Sequence, residues 1–487
     1  MSVDNPLVMA LDQGGHASRA LVFDRAGRCV ARGSCDVGET RPGDDRVEQD
    51  PEELVRSLRR SIKDAMKFLG RRDGDLVAAG LATQRSSVVA WDATSGAPLS
   101  PVISWQDRRA KARVDALAEH ALDVRARTGL RLSPHYGASK LAWMLANLPE
   151  VAAALRDGRL VFGPLSSFLA FRLLDERPRI ADPANASRTL LWNVGTRRWD
   201  TTLCDLFGVP VTALPRCVPT RVSEGHGTLD VGKRRVPMTV VTGDQSAAIY
   251  ASGEPDPRAA YVNFGTGAFV QRAFVDAAVD APRLLKSVVF ADESRATCVL
   301  EGTVNGAGSA LQFAIEALEM ADLEPDLDGW LERETAPPVF VNAVSGLGAP
   351  YWLPDLPARF VEATPTTESS REAKLVAVLE SVVFLVAIVL DETNTVLPRP
   401  EVLRVGGGLS QLDGLCRRLA DLTGIPVERS AEPEATARGL AWLVHAGAAD
   451  GAAAFAAASG ARFEPREDRA LVDRCRRLRA ELDAAKV

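Results

Sequence analysis

The sequence predicts an α/β protein of two similar halves, and three observations carry that prediction. The first is the opening stretch MALDQGGHASRALVFD (Met9–Asp24), in which the apolar run Leu7–Leu11 stops at Asp12, Gly14 and Gly15 follow, and a second apolar run begins at Ala20. It reads as strand, tight turn, strand. The second is the return of this pattern in AAYVNFGTGAFVQRAF (Ala259–Phe274), around Gly265, Thr266 and Gly267. The third is the alternation of helix-like and strand-like segments after each unit, the mark of α/β domains. A duplicated element predicts two domains, residues 1–250 and 251–487, facing each other across a cleft. Each glycine turn there would offer backbone N–H groups to a phosphate, and a cleft between domains is where ligand pockets are commonest. Asp12 beside its glycine turn reads equally as hairpin chemistry, since Gly permits φ > 0 and Asp tolerates turns.

The elements follow in order from apolar periodicity. The first half reads as a helix over 51–69, strands LVAAGLAT (Leu76–Thr83) and SSVVAWD (Ser86–Asp92), helices over 107–121 and 137–157, and the strand PMTVVTGD (Pro237–Asp244). The second half, after its glycine turn, reads as a helix over 306–320, a helix over 371–391, the strand VLRVGGG (Val402–Gly408), and helices over 411–423 and 433–447. Within 371–391, LVAVLESVVFLVAIVL (Leu375–Leu390) is nearly all apolar but has only 16 residues and contains Glu380. That is short of the ~20 residues that span a bilayer, so a helix buried between layers is expected. AAAFAAASGA (Ala452–Ala461) reads as an Ala-rich helical stretch.

Composition bounds the function. With 487 residues and 46% hydrophobic content the chain can bury large cores. A net charge of −6 with scattered basic pairs gives no footprint for nucleic acid or an anionic membrane, which leaves a small molecule as the partner. The seven Cys form no CxxC and the five His have no ligand spacing near them, so neither disulfides nor structural zinc are expected. The first residues carry no basic patch followed by an apolar core, and a reducing cytoplasm is the expected location. GTLDVGKR (Gly227–Arg234) mimics part of a phosphate-binding loop, yet Arg234 stands where Ser or Thr must hold magnesium and a strand follows where a helix is required. A surface hairpin is expected there. A dinucleotide fingerprint and a Gly-x-Ser-x-Gly elbow are both missing.

Eight segments in order carry a resemblance: DQGGHASRALVFD, WQDRR (Trp105–Arg109), NASRTLLWN (Asn185–Asn193), TGDQSAA (Thr242–Ala248), NFGTGAF, LEGTVNGAG (Leu300–Gly308), SGLGAPYW (Ser345–Trp352) and LRVGGGL (Leu403–Leu409). Together they resemble the FGGY carbohydrate kinases, most of all the glycerol kinase branch, over about Leu7 to Gly447. The resemblance implies the actin-like, ribonuclease-H-type ATPase fold with duplicated domains around a central cleft. It also implies transfer of the ATP γ-phosphoryl group to a hydroxyl of a sugar or polyol, with ATP and Mg²⁺ required. Such chemistry needs phosphates held in line, a bridging cation and a base for the acceptor proton. By resemblance Asp244 is the catalytic base, and Gln84, Arg85, Trp105, Asp107, His135, Asp244 and Gln245 meet the acceptor. Asp12 holds Mg²⁺ through water. Arg19 and Thr266, with the backbones of Gly14–Gly15 and Gly265–Gly267, hold the phosphates. Gly308 and Gln312 join the nucleotide set, and Gly407 and Gly408 let adenosine lie against bare backbone.

Departures from the pattern bear on the acceptor. Glycerol kinases read Asp-Gln-Gly-Thr-Thr-Ser-Ser-Arg, where this chain has Gly15 and His16 at the two threonines. Two hydroxyl donors to phosphate are missing, each worth roughly 1.5–3 kcal/mol. The glycerol-binding Gln-Arg-Glu is here Gln84, Arg85, Ser86, and the usual Tyr is His135, while Asp107 matches the acid of sugar kinase branches in Trp-x-Asp-x-Arg. Gly406 is acceptable before the double glycine, and Leu412 replaces a polar residue near the adenine. The reading is an ATP-dependent kinase of a small sugar or polyol other than plain glycerol. The alternatives are a glycerol kinase with a rebuilt pocket, or a weakly active ATP-binding regulator or scaffold. A homo-oligomer, such as a dimer, stays open.

Overall fold

A computed structural model of the chain describes residues 5–275, 279–320, 326–361, 369–430, 434–447, 455 and 460–485. The described residues gather into two compact α/β units. The first comprises Met1–Glu254, Ser287–Cys298 and Glu434–Ala457, the second Pro255–Lys286, Val299–Pro433 and Ala458–Val487.

The first unit is built on a six-stranded sheet. Its order runs Thr228–Asp230, Arg235–Gly243, Leu76–Thr83, Leu7–Gln13, Ala17–Phe23 and Cys29–Asp36. Leu7–Gln13 is buried at every position, as a central strand covered on both faces requires. It runs antiparallel to Ala17–Phe23 and parallel to Leu76–Thr83, which in turn runs parallel to Arg235–Gly243. Helix Pro51–Leu69 covers one face. Asp50 caps it by accepting from Glu52 N–H, Pro51 opens the first turn, and Leu54, Leu58, Ile62, Ala65 and Leu69 form the buried stripe. The opposite face takes helix Ala435–His445. A Cβ on Gly80 would stand 2.8 Å from both Leu440 and Val444, and one on Gly439 would stand 1.9 Å from the Ala247 carbonyl oxygen. Only glycine permits that approach, and through it the late helix seats against strands Leu7–Gln13 and Leu76–Thr83 and against the short helix that begins at Asp244.

The second unit repeats the arrangement. Ala259–Phe264 pairs antiparallel with Ala268–Phe274 across the glycine turn and parallel with Val402–Gly406, beside which lies Val427–Arg429. Ala296–Val304 lies next to Ala268–Phe274 in the same sheet. The apolar helix, Arg371–Thr393, is capped by Ser370 and buried almost throughout, Glu380 included. It is long and apolar enough to cross a membrane, but its apolar stretch is enclosed by the unit's own sheet and helices.

Most predicted elements form within a few residues of their expected limits, and the exceptions have local causes. The helix expected over 137–157 is two, Gly137–Asn147 and Pro149–Arg156. Pro149 has no N–H to continue the first and holds Leu148 extended, at φ −112° and ψ 105°. The helix expected over 107–121 is reduced to Lys111–Asp115 and a single turn at Ala118–His120, followed by Ala121–Thr128. Residues before Lys111 are pinned instead, because the Asp107 carboxylate is tied to strand Arg46–Gln49. The expected surface hairpin at 227–234 is present, Thr228–Asp230 pairing antiparallel with Arg235–Pro237. Of the Ala-rich stretch 452–461, all but Phe455, Gly460 and Ala461 lies outside the described residues.

Candidate active site

The register of the first sheet brings two carboxylates to one edge. Asp12 and Thr242 both lie opposite Ala82, one on each side of strand Leu76–Thr83. Asp12 and the start of helix Asp244–Ala248 therefore stand at the carboxyl ends of parallel strands, two strand spacings or about 10 Å apart. In open α/β sheets that edge is where ligands bind. Asp12 is 5% exposed. Its cross-strand partner Arg19 places Nη1 3.4 Å from Asp12 Oδ2 and Nε 3.9 Å from Glu434 Oε2. Burial raises the Asp12 pKa to about 7; the neighbouring Asp244 and Glu434 charges add to the rise and Arg19 opposes it. Gly14 closes the turn by donating its N–H to the Ala17 carbonyl, while a Cβ on Gly15 would meet nothing within 4 Å. His16 is exposed.

Asp244 is the first residue of its helix, after Gly243, and its Oδ1 accepts from Gln245 N–H at 2.7 Å. Arg85 passes beneath Gly243, whose missing Cβ would stand 2.6 Å from Arg85 Cγ, and brings Nε to 3.9 Å from Asp244 Oδ1. The Trp105 and His135 rings lie 5.6 Å apart, and His135 packs edge-on against Tyr136 at 4.9 Å. Burial holds the His135 pKa well below the usual imidazole value, and Arg188, Lys140, Arg108 and Arg85 push it the same way. The ring is neutral at pH 7.

Two predicted acceptor contacts have their polar groups engaged inside the protein. The Asp107 carboxylate accepts from Val47 N–H at 2.7 Å, from Arg109 N–H at 3.1 Å, and from the Arg109 guanidinium at 2.7–3.0 Å. Arg109 also pairs with Glu48 at 2.7 Å and covers the Trp143 ring. Asp107 thus fixes a ribbon edge. The Gln84 amide donates to Gln49 Oε1 at 2.7 Å and accepts from Ser87 Oγ at 3.2 Å.

In the second unit the glycine turn folds onto a helix start. Gly265 donates to the Gly267 carbonyl at 2.8 Å, and the carbonyls of Gly265 and Thr266 accept from Gly308 and Ser309 N–H, each at 3.0 Å. A Cβ on Gly267 would stand 2.6 Å from the Val304 carbonyl oxygen. Thr266 is exposed, as is Gln312, whose amide donates to Glu316 at 2.7 Å. Gly407 sits at φ 88°, with the Phe264 carbonyl oxygen 2.3 Å from where its Cβ would be, whereas Gly406 and Gly408 have nothing within 4 Å. Gly407 thus makes a bend that a side chain would obstruct, and Gly406 and Gly408 on either side of it present open backbone. Gly407→Ala is expected to cost about 1–3 kcal/mol from backbone strain alone and Gly408→Ala much less, which urea denaturation of the two variants checks.

Sequence reasoning missed Glu434, Gln49 and Lys140. Glu434 joins the first-unit carboxylates from far along the chain. Lys140 is fully buried and donates to the carbonyls of Ser104 and His135, at 2.7 and 2.8 Å, tying together the loops that carry Trp105 and His135. Its position in the first turn of an amphipathic helix gave no signal. Among the described residues no group of three His, Cys, Asp or Glu forms a metal cage.

Comparison with known proteins gives the family. The N-terminal domain of the FGGY family of carbohydrate kinases matches residues 7–250, and its C-terminal domain matches residues 260–448. The chain is 35% identical over 471 residues to a glycerol kinase of Allorhizobium ampelinum, covering 94% of each. It is 34% identical over 481 residues to one of Roseobacter denitrificans, covering 96% of each. Among solved structures, Plasmodium falciparum glycerol kinase with ADP superposes with a TM-score of 0.88 at 24% identity, over 99% of this chain and 97% of that one. At that identity the likeness speaks for the fold.

Proposed function

The chain belongs to the FGGY family of carbohydrate kinases, and from that premise we propose that it phosphorylates a hydroxyl of a longer polyol or an acid-bearing sugar in preference to glycerol. The observation that carries the reading is the pair Asp12 and Asp244 on one sheet edge, each with an arginine beside it. Asp244, with its oxygen oriented by Gln245 N–H, takes the proton of the acceptor hydroxyl as it attacks. Gln245 and Arg85 orient the acceptor's other oxygens. Trp105 and His135 form its apolar wall, with the neutral imidazole able to donate and to accept. Arg19 and the Gly14–Gly15 turn meet the phosphates. The acceptor side belongs to residues 1–250, and the turn at 265–267, Gly308 and Gly406–Gly408 serve the nucleotide from residues 251–487.

Magnesium fits the residues present. A buried Asp12 held beside the Asp244 and Glu434 carboxylates is a concentration of negative charge that a dication relieves. One or two carboxylates plus phosphate oxygens is also the ligand set this ion prefers. Bound there, it would supply charge neutralisation on the phosphates undergoing transfer.

The preference against glycerol rests on Ser86 and His135. Ser86 stands at the position where the glycerol kinase branch has a carboxylate to accept from polyol hydroxyls, and the charges that press on His135 are all cationic. That surrounding favours an acceptor bearing its own negative charge. Loss of one charged hydrogen-bond partner is worth about 2 kcal/mol, or roughly thirtyfold in selectivity. An acceptor-stimulated ADP-release screen over glycerol, longer polyols, ketoses and aldonates is expected to place glycerol about thirtyfold below the best acceptor. The names of the relatives favour a second reading, a glycerol kinase with a rebuilt pocket. Glycerol as the acceptor of highest kcat/KM would establish it and remove the first.

A further inference from the structure

One polar thread in the first unit runs from the wall assigned to the acceptor to the turn assigned to the phosphates. Trp105 N–H donates to Ser87 Oγ at 3.1 Å, Ser87 Oγ–H to Gln84 Oε1 at 3.2 Å, Gln84 Nε2 to Gln49 Oε1 at 2.7 Å, and Gln49 Nε2 to the Gly15 carbonyl at 2.9 Å. A side branch reaches the same turn, since Gln84 Nε2 lies 3.4 Å from Gln13 Oε1 and Gln13 Nε2 donates to the Gly14 carbonyl at 2.6 Å. Gln49 and Gln84 are each 3% exposed and Ser87 1%, so water offers these groups little alternative and leaving one unmade is costly.

The direction of the thread is fixed by its ends. Carbonyl oxygens only accept, so the Gln49 amide must turn its nitrogen toward Gly15, and toward Gly38 at 3.4 Å. Its oxygen then faces Gln84, which must present nitrogen in return and leave its own oxygen for the Ser87 hydroxyl. Ser87, having donated, has a lone pair for Trp105 N–H. Every bond points the same way, the arrangement in which hydrogen bonds polarise one another. The backbone of Gln49 is held as firmly as its side chain. It pairs with Val102, three residues before Trp105, and it precedes Asp50, the cap of helix Pro51–Leu69.

We propose that Gln49 is a positioning residue, setting the Gly14–Gly15 turn at a fixed reach from the Trp105 wall through Gln84 and Ser87. The turn lacks hydroxyl side chains at Gly15 and His16, so its place depends on what holds its carbonyls, and Gln49 holds one of them. Gln84 then serves the acceptor through Trp105 and the nucleotide through Gln49. The inference rests on the assignment of this turn to the phosphates.

Gln49→Met and Gln84→Met keep side-chain length and remove the amide. ATP affinity in the presence of Mg²⁺, read by calorimetry without any acceptor, is expected to fall about tenfold in each. The double variant is expected to be no weaker than Gln49→Met alone, since both break one thread. Amide hydrogen exchange at Gly15–Ala17 and Trp105 is expected to quicken while the rest of the sheet keeps its protection. A Gln84 that only touches the acceptor would leave ATP affinity and exchange at the turn unchanged in Gln84→Met, and that result overturns the proposal. Faster exchange at the turn with unaltered ATP affinity also overturns it, and locates the fault in the phosphate assignment beneath it rather than in the thread.

Discussion

Asp244→Asn is expected to reduce acceptor phosphorylation by about 10²–10⁴-fold, the usual worth of general-base help, while ATP affinity stays within about twofold of wild type. An amide of the same shape still accepts the Gln245 N–H that orients it, so the local backbone keeps its form. It cannot take a proton at the working pH. On the proposed reading the phosphates are held by Arg19 and the glycine turn, and Asp244 acts on the acceptor side. Asp12→Asn separates the two roles, because it should weaken Mg²⁺-dependent ATP binding itself. Both variants also change stability in a calculable direction. The Asp12 carboxyl of the free protein titrates near 7, above its ordinary 3.8, through burial and the Asp244 and Glu434 charges. Between these values the native state holds a proton that the unfolded chain releases, so stability falls as pH rises from about 4 to about 7. Removing either aspartate relieves part of that cost. The metal-free variants should melt higher than wild type at pH 7 and about equally at pH 4. Steady-state turnover, calorimetry with ATP and Mg²⁺, and melting in chelator are the measurements. Near-normal turnover in Asp244→Asn would place the base elsewhere.

How much of this was legible in the sequence depends on whether a residue's role is local. Asp12, Gly14 and Gly15 are visible because a strand end followed by a glycine turn is a contiguous pattern, and its recurrence at Gly265–Gly267 exposes the duplicated sheet. Gly407 is visible as a glycine, though not the reason it must be one, since the obstructing Phe264 carbonyl belongs to another strand. Glu434 was invisible: nothing at position 434 announces a return to the sheet that bears Asp12, and only Gly80 and Gly439 record how closely that helix approaches. Asp107 and Gln84 show the converse. Their residue types suit sugar hydroxyls, and a linear reading cannot see the bonds that Val47 N–H, Arg109 and Gln49 make to them inside the protein. The broken helix at Leu148–Pro149 was legible from Pro149, which outweighs the apolar periodicity running through it.

Glu380 is the place where a membrane reading and a core reading of the apolar helix part, and its replacement should be the most destabilising single change in the second unit. The carboxylate is fully buried and held by two arginines. Arg418 Nε donates to Oε1 at 2.9 Å, and Arg474 donates to Oε1 and Oε2 at 2.7 and 2.8 Å. Arg418 also donates to the carbonyls of Leu331 and, at 2.9 Å, Glu334, and Arg474 to that of Thr335 at 3.1 Å. One acid thus joins helix Arg371–Thr393 to helices Asp413–Thr423 and Arg469–Ala484 and to the end of Leu327–Arg333. Glu380→Gln leaves two partly buried guanidinium groups facing a neutral amide, and breaking a buried pair in this way costs about 3–5 kcal/mol. The triple change to Met at 380, 418 and 474 removes every charge, and for a bare ion triad that is often neutral or stabilising. Here it also strips three backbone carbonyls of their donors, each a loss of about 1–3 kcal/mol. The triple variant should therefore remain below wild type, with the carbonyls as the reason. Urea unfolding of the three proteins at neutral pH decides it. A Glu380→Gln midpoint equal to wild type would mean that apolar packing alone holds these helices together.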